Sequence, residues 1–486
     1  MTVLDSLEPR EIFGYFETLA GIPRGSMNEK QVSDWVVGLA TEHGLEAVQD
    51  EKFNVLVRKP GTAGLENAPT VLLHGHLDMV CEKEEGVVKD FENEPIDLLV
   101  EGEFITADGT SLGADNGIGV SYILALLTSS DIAHPPLEAV LTAMEEKGKV
   151  GAGHFDTSQL TASRMIDFNW ITDTEILAGC SGDVTFTVDV PAEWEPVPAT
   201  HTTTRLLQVR GLVGGHCEFD IHFERSNAVL VLARAINAVL EVAPVQIAAP
   251  HGGAQNNAIP ADAQAVLVLA PDALERVESA VAELQEALRT EYSEAEPGLR
   301  LELVEADAPE RVFSAAATAR LAQLTSLIPN GVLSWSLVVP GIVETSNNLG
   351  TIRSTDEGAR LMSTITAAVT SRKHEVYDRV RNLCALAGGG VTCELYGLDA
   401  PEFAYRPDSE LLKIATATYR DVVGEEPEVH VSQCSLELGM FSQRVGLDTI
   451  SIGTELHDLH SPKETVRHTS VAKVWPLVRE LMGRLS

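Results

Sequence analysis

The chain has 486 residues, of which 72 are acidic and 35 basic, so its formal net charge is −37. A protein that follows nucleic-acid phosphates needs stripes of Lys and Arg, and this charge argues against that class and against a polybasic membrane anchor. The sequence contains no apolar run of about 18 residues and no apolar signal core near its start, so no membrane span or export signal is predicted. Six scattered cysteines without a CxxC pair favour reduced thiols, and we therefore expect a cytoplasmic protein.

The first third of the chain predicts alternating helices and strands. Residues 29–43 have the apolar spacing of a helix, and residues 69–78 begin as a continuous apolar strand that ends in polar side chains. Residues 114–130 predict a buried helix, residues 137–146 an apolar strand ending in acids, and residues 163–170 a third strand. Such alternation indicates an α/β fold, in which ligands bind at the carboxyl ends of the strands.

The middle of the chain has a different pattern, with amphipathic strands from about residue 185. An order of strand, helix, two strands and helix predicts an α+β insert built from ferredoxin-like units. The predicted helices are 226–243, 273–293, 314–327 and 373–387, and the later strands are 263–270, 300–305, 342–353 and 358–370.

The last part of the chain returns to α/β character. Its predicted elements are a helix at 408–423, a strand at 427–432, a helix at 436–444, a strand at 448–452 and a helix at 470–485. The simplest organisation is a discontinuous domain formed by residues 1–184 and 399–486, interrupted by an inserted domain at residues 185–398.

Polar side chains cluster at four predicted element ends, and each cluster alone has an ordinary structural explanation. A single buried histidine is usually a satisfied core residue, and an adjacent pair of glutamates is usually solvated surface. Together they favour a metal site, because buried carboxylates without a cation are costly. The clusters are His76 with Asp78, Asp115 in a glycine-flanked turn, Glu145 with Glu146, and His460.

The residue types suit a divalent metal. In a strand, His76 and Asp78 point to the same side, so both can face one site. Histidine nitrogens and carboxylate oxygens form the mixed ligand set of zinc, which manganese or cobalt also accepts. One of the adjacent glutamates can bind metal while the other acts as general base for the metal-activated water.

The ordered motifs resemble the M20 metallopeptidases, and among them the aminoacyl-histidine dipeptidases, over nearly the whole chain. The family implies a two-metal amide hydrolase with a catalytic domain, an inserted lid domain and a homodimer. The motifs are LLHGHLDMV (72–80), SLGADNGIGV (111–120), LTAMEEKGKVGA (141–152), GCSGD (179–183), GLVGGH (211–216), NNAIP (256–260), ETSNNLG (344–350), LELGMF (436–441) and SIGTELHDLHSP (451–462).

The resemblance also implies a role for each matching residue. His76 and Glu146 would each bind one metal, Asp115 would bridge both metals, and His460 would bind beside Glu146. Asp78 would orient His76, and Glu145 would be the general base. On the lid, His216 would support the developing oxyanion and Asn257 would contact substrate.

Two positions depart from the family pattern. Asn169 stands where the family has an acidic fifth ligand, so one metal site has a weaker donor unless Asp167 supplies a relocated one. Thr366 stands where family members have an arginine that holds the substrate carboxylate, and a hydroxyl lacks the bidentate grip of a guanidinium.

These observations predict metal-dependent hydrolysis of dipeptides, of Xaa-His type or of broad specificity. The alternatives are a homologue that binds peptide or metal without efficient turnover, and an amidohydrolase or deacylase of the same superfamily. The expected partners are a small peptide substrate and a second copy of the chain.

Overall fold

The computed structural model describes residues 3–485, and within them the chain divides into two compact units. The first unit contains the described residues up to Cys180, Ala400–Ser432 and the chain from Leu436 onward. The second contains Ser181–Asp399 and Gln433–Ser435. The predicted divisions were after residues 184 and 398.

The first unit is built around a mixed sheet, which agrees with the predicted α/β fold class. Its central strands pair in parallel, and two antiparallel strands extend one side. The strand order is Glu46–Gln49, Val55–Lys59, Leu137–Thr142, Val71–His76, Arg164–Trp170 and Asp448–Gly453.

Helices and short hairpins complete the first unit. The helix Ala114–Thr128 is nearly all buried and packs against the two strands Val71–His76 and Arg164–Trp170. The other helices are Arg10–Ala20, Lys30–Glu42, Val150–His154, Glu410–Val423, Leu438–Phe441 and His468–Arg484, and a small sheet contains Leu98–Glu101, Phe104–Ala107, Leu456–His457 and Thr465–Arg467.

The parallel strands bring polar residues to one edge of this sheet. Every residue of Val71–His76 and of Leu137–Thr142 is buried, as expected for strands covered on both faces. His76 pairs with Thr142 at the carboxyl ends of these neighbouring strands. The turn that follows Thr142 therefore lies beside His76.

The second unit is an antiparallel sheet with its own core. The strand Glu175–Pro191 runs from the first unit into the second, where it pairs with Gly358–Ala367. From there the sheet continues through Val343–Ser354, Val245–Gly252, Ala263–Leu269, Thr203–Arg210 and Arg300–Glu305.

Part of the second unit follows the ferredoxin-like pattern expected from the sequence. Its elements alternate as strand, helix, strand, strand, helix, strand, and the last strand pairs with the first. In chain order they are Thr203–Arg210, Ala228–Val242, Val245–Gly252, Ala263–Leu269, Leu274–Glu291 and Arg300–Glu305. Further elements are the helices Ala315–Leu327 and Thr370–Ala387 and the strands Gly331–Trp335 and Thr392–Ala400.

Several predicted elements have different ends in the structure, and two of them show why. The strand predicted over 137–146 ends at Thr142, because Met144 has a φ of 53° and the chain turns there. The helix predicted over 436–444 is regular only over Leu438–Phe441 and continues as a wider turn through Ser442–Gly446. Each helix within residues 3–485 is too short or too polar to span a bilayer.

Candidate metal centre

Four of the predicted metal ligands lie together in the first unit. Asp115 is central, with one carboxylate oxygen 3.0 Å from Nε2 of His76 and the other 3.3 Å from Nε2 of His460. The same nitrogen of His460 lies 2.9 Å from a carboxylate oxygen of Glu146. One ligand atom from each of His76, Asp115 and Glu146 lies within 4.8 Å of the others.

Two of these side chains lie at the end of an element, and Glu146 and His460 lie in turns. His76 is the last residue of the strand Val71–His76, and Asp115 lies in the first turn of the helix that follows Gly113. Gly113 has a φ of 71°, a left-handed conformation that favours glycine and lets the chain enter this helix sharply. Glu146 lies in the turn after Thr142.

The charged side chains of this group shift one another's pKa values. Burial alone would lower the pKa of His460, but its hydrogen bonds to Asp115 and Glu146 raise that pKa to about 11. Burial would also lower the pKa of His76. Its hydrogen bonds to Asp115 and Asp78 nevertheless keep that pKa well above its usual range. The pKa of Asp115 is lowered, because the two histidines outweigh the effect of burial. The carboxylates thus stabilise positive charge at this position, and the two histidines have to lose that proton before they can bind a metal ion.

Asp78 connects His76 to the turn that carries the two glutamates. Nδ1 of His76 lies 3.2 Å from the backbone oxygen of Asp78 and 3.5 Å from its carboxylate. That carboxylate accepts the backbone N–H groups of Glu145 at 3.0 Å and Glu146 at 3.2 Å, and the hydroxyl of Ser26 at 2.7 Å. Nδ1 of His76 therefore lies closer to the backbone oxygen of Asp78 than to its carboxylate, and that carboxylate also holds the Glu145–Glu146 turn.

Glu145, the expected general base, lies close to the charge of Glu146. Burial and the neighbouring charge of Glu146 raise the pKa of Glu145 well above its ordinary value. A carboxylate with a raised pKa is a stronger base than an ordinary carboxylate, as the expected role of Glu145 requires.

Asn169 and Asp167 are both engaged with other side chains. The side-chain oxygen of Asn169 accepts a hydrogen bond of 2.7 Å from the amide of Asn116. Asp167 lies 2.7 Å from Nδ1 of His74 and accepts hydrogen bonds from the hydroxyl of Ser451 and the backbone N–H of Asn169. Asp167 does not join the group formed by His76, Asp115 and Glu146.

The predicted lid residues lie in the second unit and are neighbours there. His216 pairs with Ala258, so Asn257 precedes its strand partner. Nδ1 of His216 accepts the backbone N–H of Glu218 at 3.2 Å, which places the ring proton on Nε2. The hydroxyl of Thr366 lies 3.5 Å from the carboxylate of the same Glu218.

Sequence patterns missed three buried charged residues near the candidate ligands. Arg24 and Glu464 are each 2% exposed and contact the segments that carry Asp78 and Asp115. His74 is 1% exposed and lies between Asp167 and Glu437. The charged residues Arg24 and Glu464 lie in loops, where no apolar periodicity marks a side chain as buried.

A second group of carboxylate and imidazole side chains is less suited to a metal. Glu175, Glu428 and His430 also bring ligand atoms within 4.8 Å of one another. However, the indole N–H of Trp170 already donates to Glu175 at 2.9 Å, and Glu428 is exposed. We therefore take the first group as the candidate metal centre.

Comparison with protein families identifies the wider relationship. The sequence profile of the peptidase family M20/M25/M40 matches residues 72–483, which include all the candidate ligands. The chain belongs to this family. Its members are peptidases, so the chain is a hydrolase of peptide bonds, as the motifs predicted.

Individual relatives support the same assignment. The chain is 34% identical to the cytosol non-specific dipeptidase of Escherichia coli K12, over 100% of this chain and 99% of that one. The structure is similar to the aminoacylhistidine dipeptidase of Vibrio alginolyticus, with a TM-score of 0.84 and 31% identity over 98% of this chain and 97% of that chain. The similarity to human carnosine dipeptidase 1, at 12% identity and a TM-score of 0.52, concerns the fold alone.

Proposed function

We propose that the chain hydrolyses dipeptides at the candidate metal centre, in a reaction that depends on divalent metal. The observation that carries the proposal is the convergence of His76, Asp115, Glu146 and His460 next to a glutamate with a raised pKa. The full-length similarity to proteins named as dipeptidases supports dipeptides as the substrate class.

We propose that the centre holds two divalent ions, as its family resemblance implies. The two oxygens of Asp115 face different histidines, which suits a carboxylate that bridges two ions. Asp115, Glu146 and His460 would hold one ion, and His76 with Asp115 and the neutral oxygen of Asn169 would hold the other more weakly. We propose zinc, which this mixed ligand set favours, and expect manganese or cobalt to replace it.

The protein's own residues then supply positioning and proton transfer. A bound divalent cation acts as a Lewis acid that polarises the carbonyl group of the scissile bond and makes water more acidic. Glu145 takes a proton from the attacking water and passes it to the nitrogen of the leaving amine, so that an acid and an amine are released. Asp78 holds the turn that carries Glu145 in place.

We further propose that the second unit is a lid that supplies His216 and Asn257. The proton on Nε2 of His216 is suited to stabilise negative charge that develops on the carbonyl oxygen.

We also propose a homodimer in the cytoplasm. The location is supported by the name of the E. coli relative and by six cysteines that form no disulfide. Light scattering after size exclusion would test the oligomeric state.

A dipeptide panel tests the proposed function. Metal-depleted protein is supplied with zinc, manganese or cobalt and given Xaa-His, β-alanyl-His and other dipeptides, and released amino acid is measured. We expect turnover that appears with metal and disappears on its removal. N-acyl amino acids in the same panel test the deacylase alternative. Binding of dipeptides without turnover under every metal condition would overturn the proposal and favour the alternative of an inactive homologue.

A further inference from the structure

Arg24 joins two segments that carry site residues and are distant in sequence. Its guanidinium donates hydrogen bonds to the backbone oxygens of Leu77 at 2.9 Å and Asp78 at 3.1 Å, and its other terminal nitrogen donates to the backbone oxygen of Gly113. Leu77 follows His76 directly, and Gly113 lies two residues before Asp115. One buried side chain therefore spans the gap between the segments of two candidate ligands.

The surrounding chain leaves room for this guanidinium. A Cβ atom on Gly113 would lie 2.6 Å from a terminal nitrogen of Arg24, and a Cβ on Gly117 would lie 2.8 Å from the same nitrogen. Side chains at either position would displace the guanidinium. The two glycines thus leave space for the arginine side chain. Gly113 also forms the turn before the helix.

Glu464 holds the same segment through its backbone N–H groups. Its buried carboxylate accepts the backbone N–H groups of Leu112 at 2.9 Å, Gly113 at 3.0 Å and Asp115 at 3.2 Å. The N–H of Gly113 is therefore bound by Glu464 while its carbonyl oxygen is bound by Arg24. Glu464 follows His460 by four residues, so it also links the loop of a third candidate ligand to Asp115.

We propose that Arg24 and Glu464 are a pair of positioning residues that set the spacing of His76, Asp115 and His460 and thereby the metal affinity of the centre. The proposal rests on the proposed role of these three residues as ligands. A planar guanidinium offers several donors in a fixed fork and can reach three carbonyl oxygens of two segments at once. An ammonium group carries the same charge at a single point and cannot reach all three oxygens. Arg24→Lys therefore keeps the positive charge and removes the hydrogen bonds that join the two segments.

The test compares metal binding by metal-depleted wild type, Arg24→Lys and Glu464→Gln. The affinity for Zn²⁺ is measured by competition with a chromophoric chelator, and the geometry by the visible absorption of Co²⁺. Residues that orient metal ligands typically change affinity by about 10- to 100-fold, and we expect a loss in that range for both variants. We also expect an altered Co²⁺ spectrum and activity that excess metal partly restores.

Arg444→Lys is the matched control. Arg444 also donates to backbone oxygens in the first unit, those of Ala152 at 3.1 Å and Gly153 at 3.4 Å, but none of its hydrogen bonds in the described chain reaches the segments held by Arg24. We expect its Zn²⁺ affinity and Co²⁺ spectrum to match those of the wild type, even if its melting temperature falls.

The outcomes separate this proposal from the function on which it rests. If wild type binds no metal, the proposed function fails. If wild type binds metal and the variants of Arg24 and Glu464 bind it equally tightly with an unchanged Co²⁺ spectrum, the positioning role is overturned. Far-UV circular dichroism checks folding, and if Arg24→Lys does not fold, Glu464→Gln decides the question.

Discussion

His74 is a buried cation two residues before a candidate metal ligand. Its Nδ1 lies 2.7 Å from Asp167 and its Nε2 lies 3.2 Å from Glu437, which also accepts the hydroxyl of Thr142 at 2.6 Å. Burial alone would lower the pKa of His74, but the two carboxylates raise it to about 9. The imidazolium thus compensates two carboxylates in the interior of the first unit.

This arrangement predicts a pH-dependent contribution to stability. The pKa of His74 is about 9 in the folded chain against an ordinary 6.5, so its contribution is complete below about pH 6.5 and is lost as the pH rises through about 9. We expect metal-free wild type to lose more stability across this range than His74→Gln, as measured by urea midpoints. The exposed His154→Gln variant should behave as wild type. Equal losses in wild type and His74→Gln would contradict the assignment.

The sequence predicted single site residues better than their partners. His76, Asp115 and Glu146 could be found because each follows or begins an apolar segment and matches a motif. Arg24, which contacts Asp78 and Gly113, could not, since its partners lie 54 and 89 positions away and leave no local pattern. Contacts between distant loops depend on the folded chain, and motif spacing does not contain them.

At the scale of elements, apolar periodicity located many of the helices and strands, but it gave no range for the strands Val55–Lys59 and Val245–Gly252 and did not fix every end. The helix predicted over 114–130 is Ala114–Thr128, and the strand predicted over 163–170 is Arg164–Trp170. The strand predicted to reach residue 146 fails at its end because the carboxylate of Asp78 accepts the N–H groups of Glu145 and Glu146. Two hydrogen bonds to the loop that follows the neighbouring strand replace the strand pairing there.

The buried helix Ala114–Thr128 depends on a close approach to its neighbouring strand. A Cβ on Gly119 would lie 2.2 Å from the backbone oxygen of Phe168, whereas a Cβ on Gly14 of the helix Arg10–Ala20 would meet nothing within 4 Å. We expect Gly119→Ala to lower the free energy of unfolding by about 1–3 kcal/mol through steric strain. Gly14→Ala should raise it by about 0.5–1 kcal/mol through helix propensity.

Urea unfolding of the two variants measures these opposite effects. Both changes add one methyl group to a helix, so they differ mainly in the space available. A Gly119→Ala variant as stable as Gly14→Ala would show that the helix does not approach the strand so closely.

Across the whole molecule, the charge of −37 has two roles. Most acidic residues are surface charge, which favours solubility and attracts cations. Asp78, Asp115, Glu145 and Glu146 instead converge within the first unit, where histidines and a cation can compensate them. The motifs were enough to predict that these carboxylates converge. Their positions depend on contacts that form only in the folded chain.

Metal removal should therefore destabilise the molecule. A ligand that binds only the folded state at about 100 times its Kd stabilises by about 2.7 kcal/mol. We expect a chelator to lower the melting temperature of the wild type and zinc to restore it, as followed by scanning calorimetry. Asp115→Asn, which weakens the proposed bridging ligand, should respond much less. An identical response in both proteins would place the metal elsewhere.

The most direct test of metal-dependent hydrolysis at this centre is a paired measurement on Glu145→Gln. Metal content per chain and dipeptide turnover are determined on the same samples of wild type and variant. We predict that the variant keeps the metal of the wild type while kcat falls by about 100- to 10,000-fold, the usual contribution of a general base. A variant that turns over dipeptides at the wild-type rate with its metal in place would contradict the account.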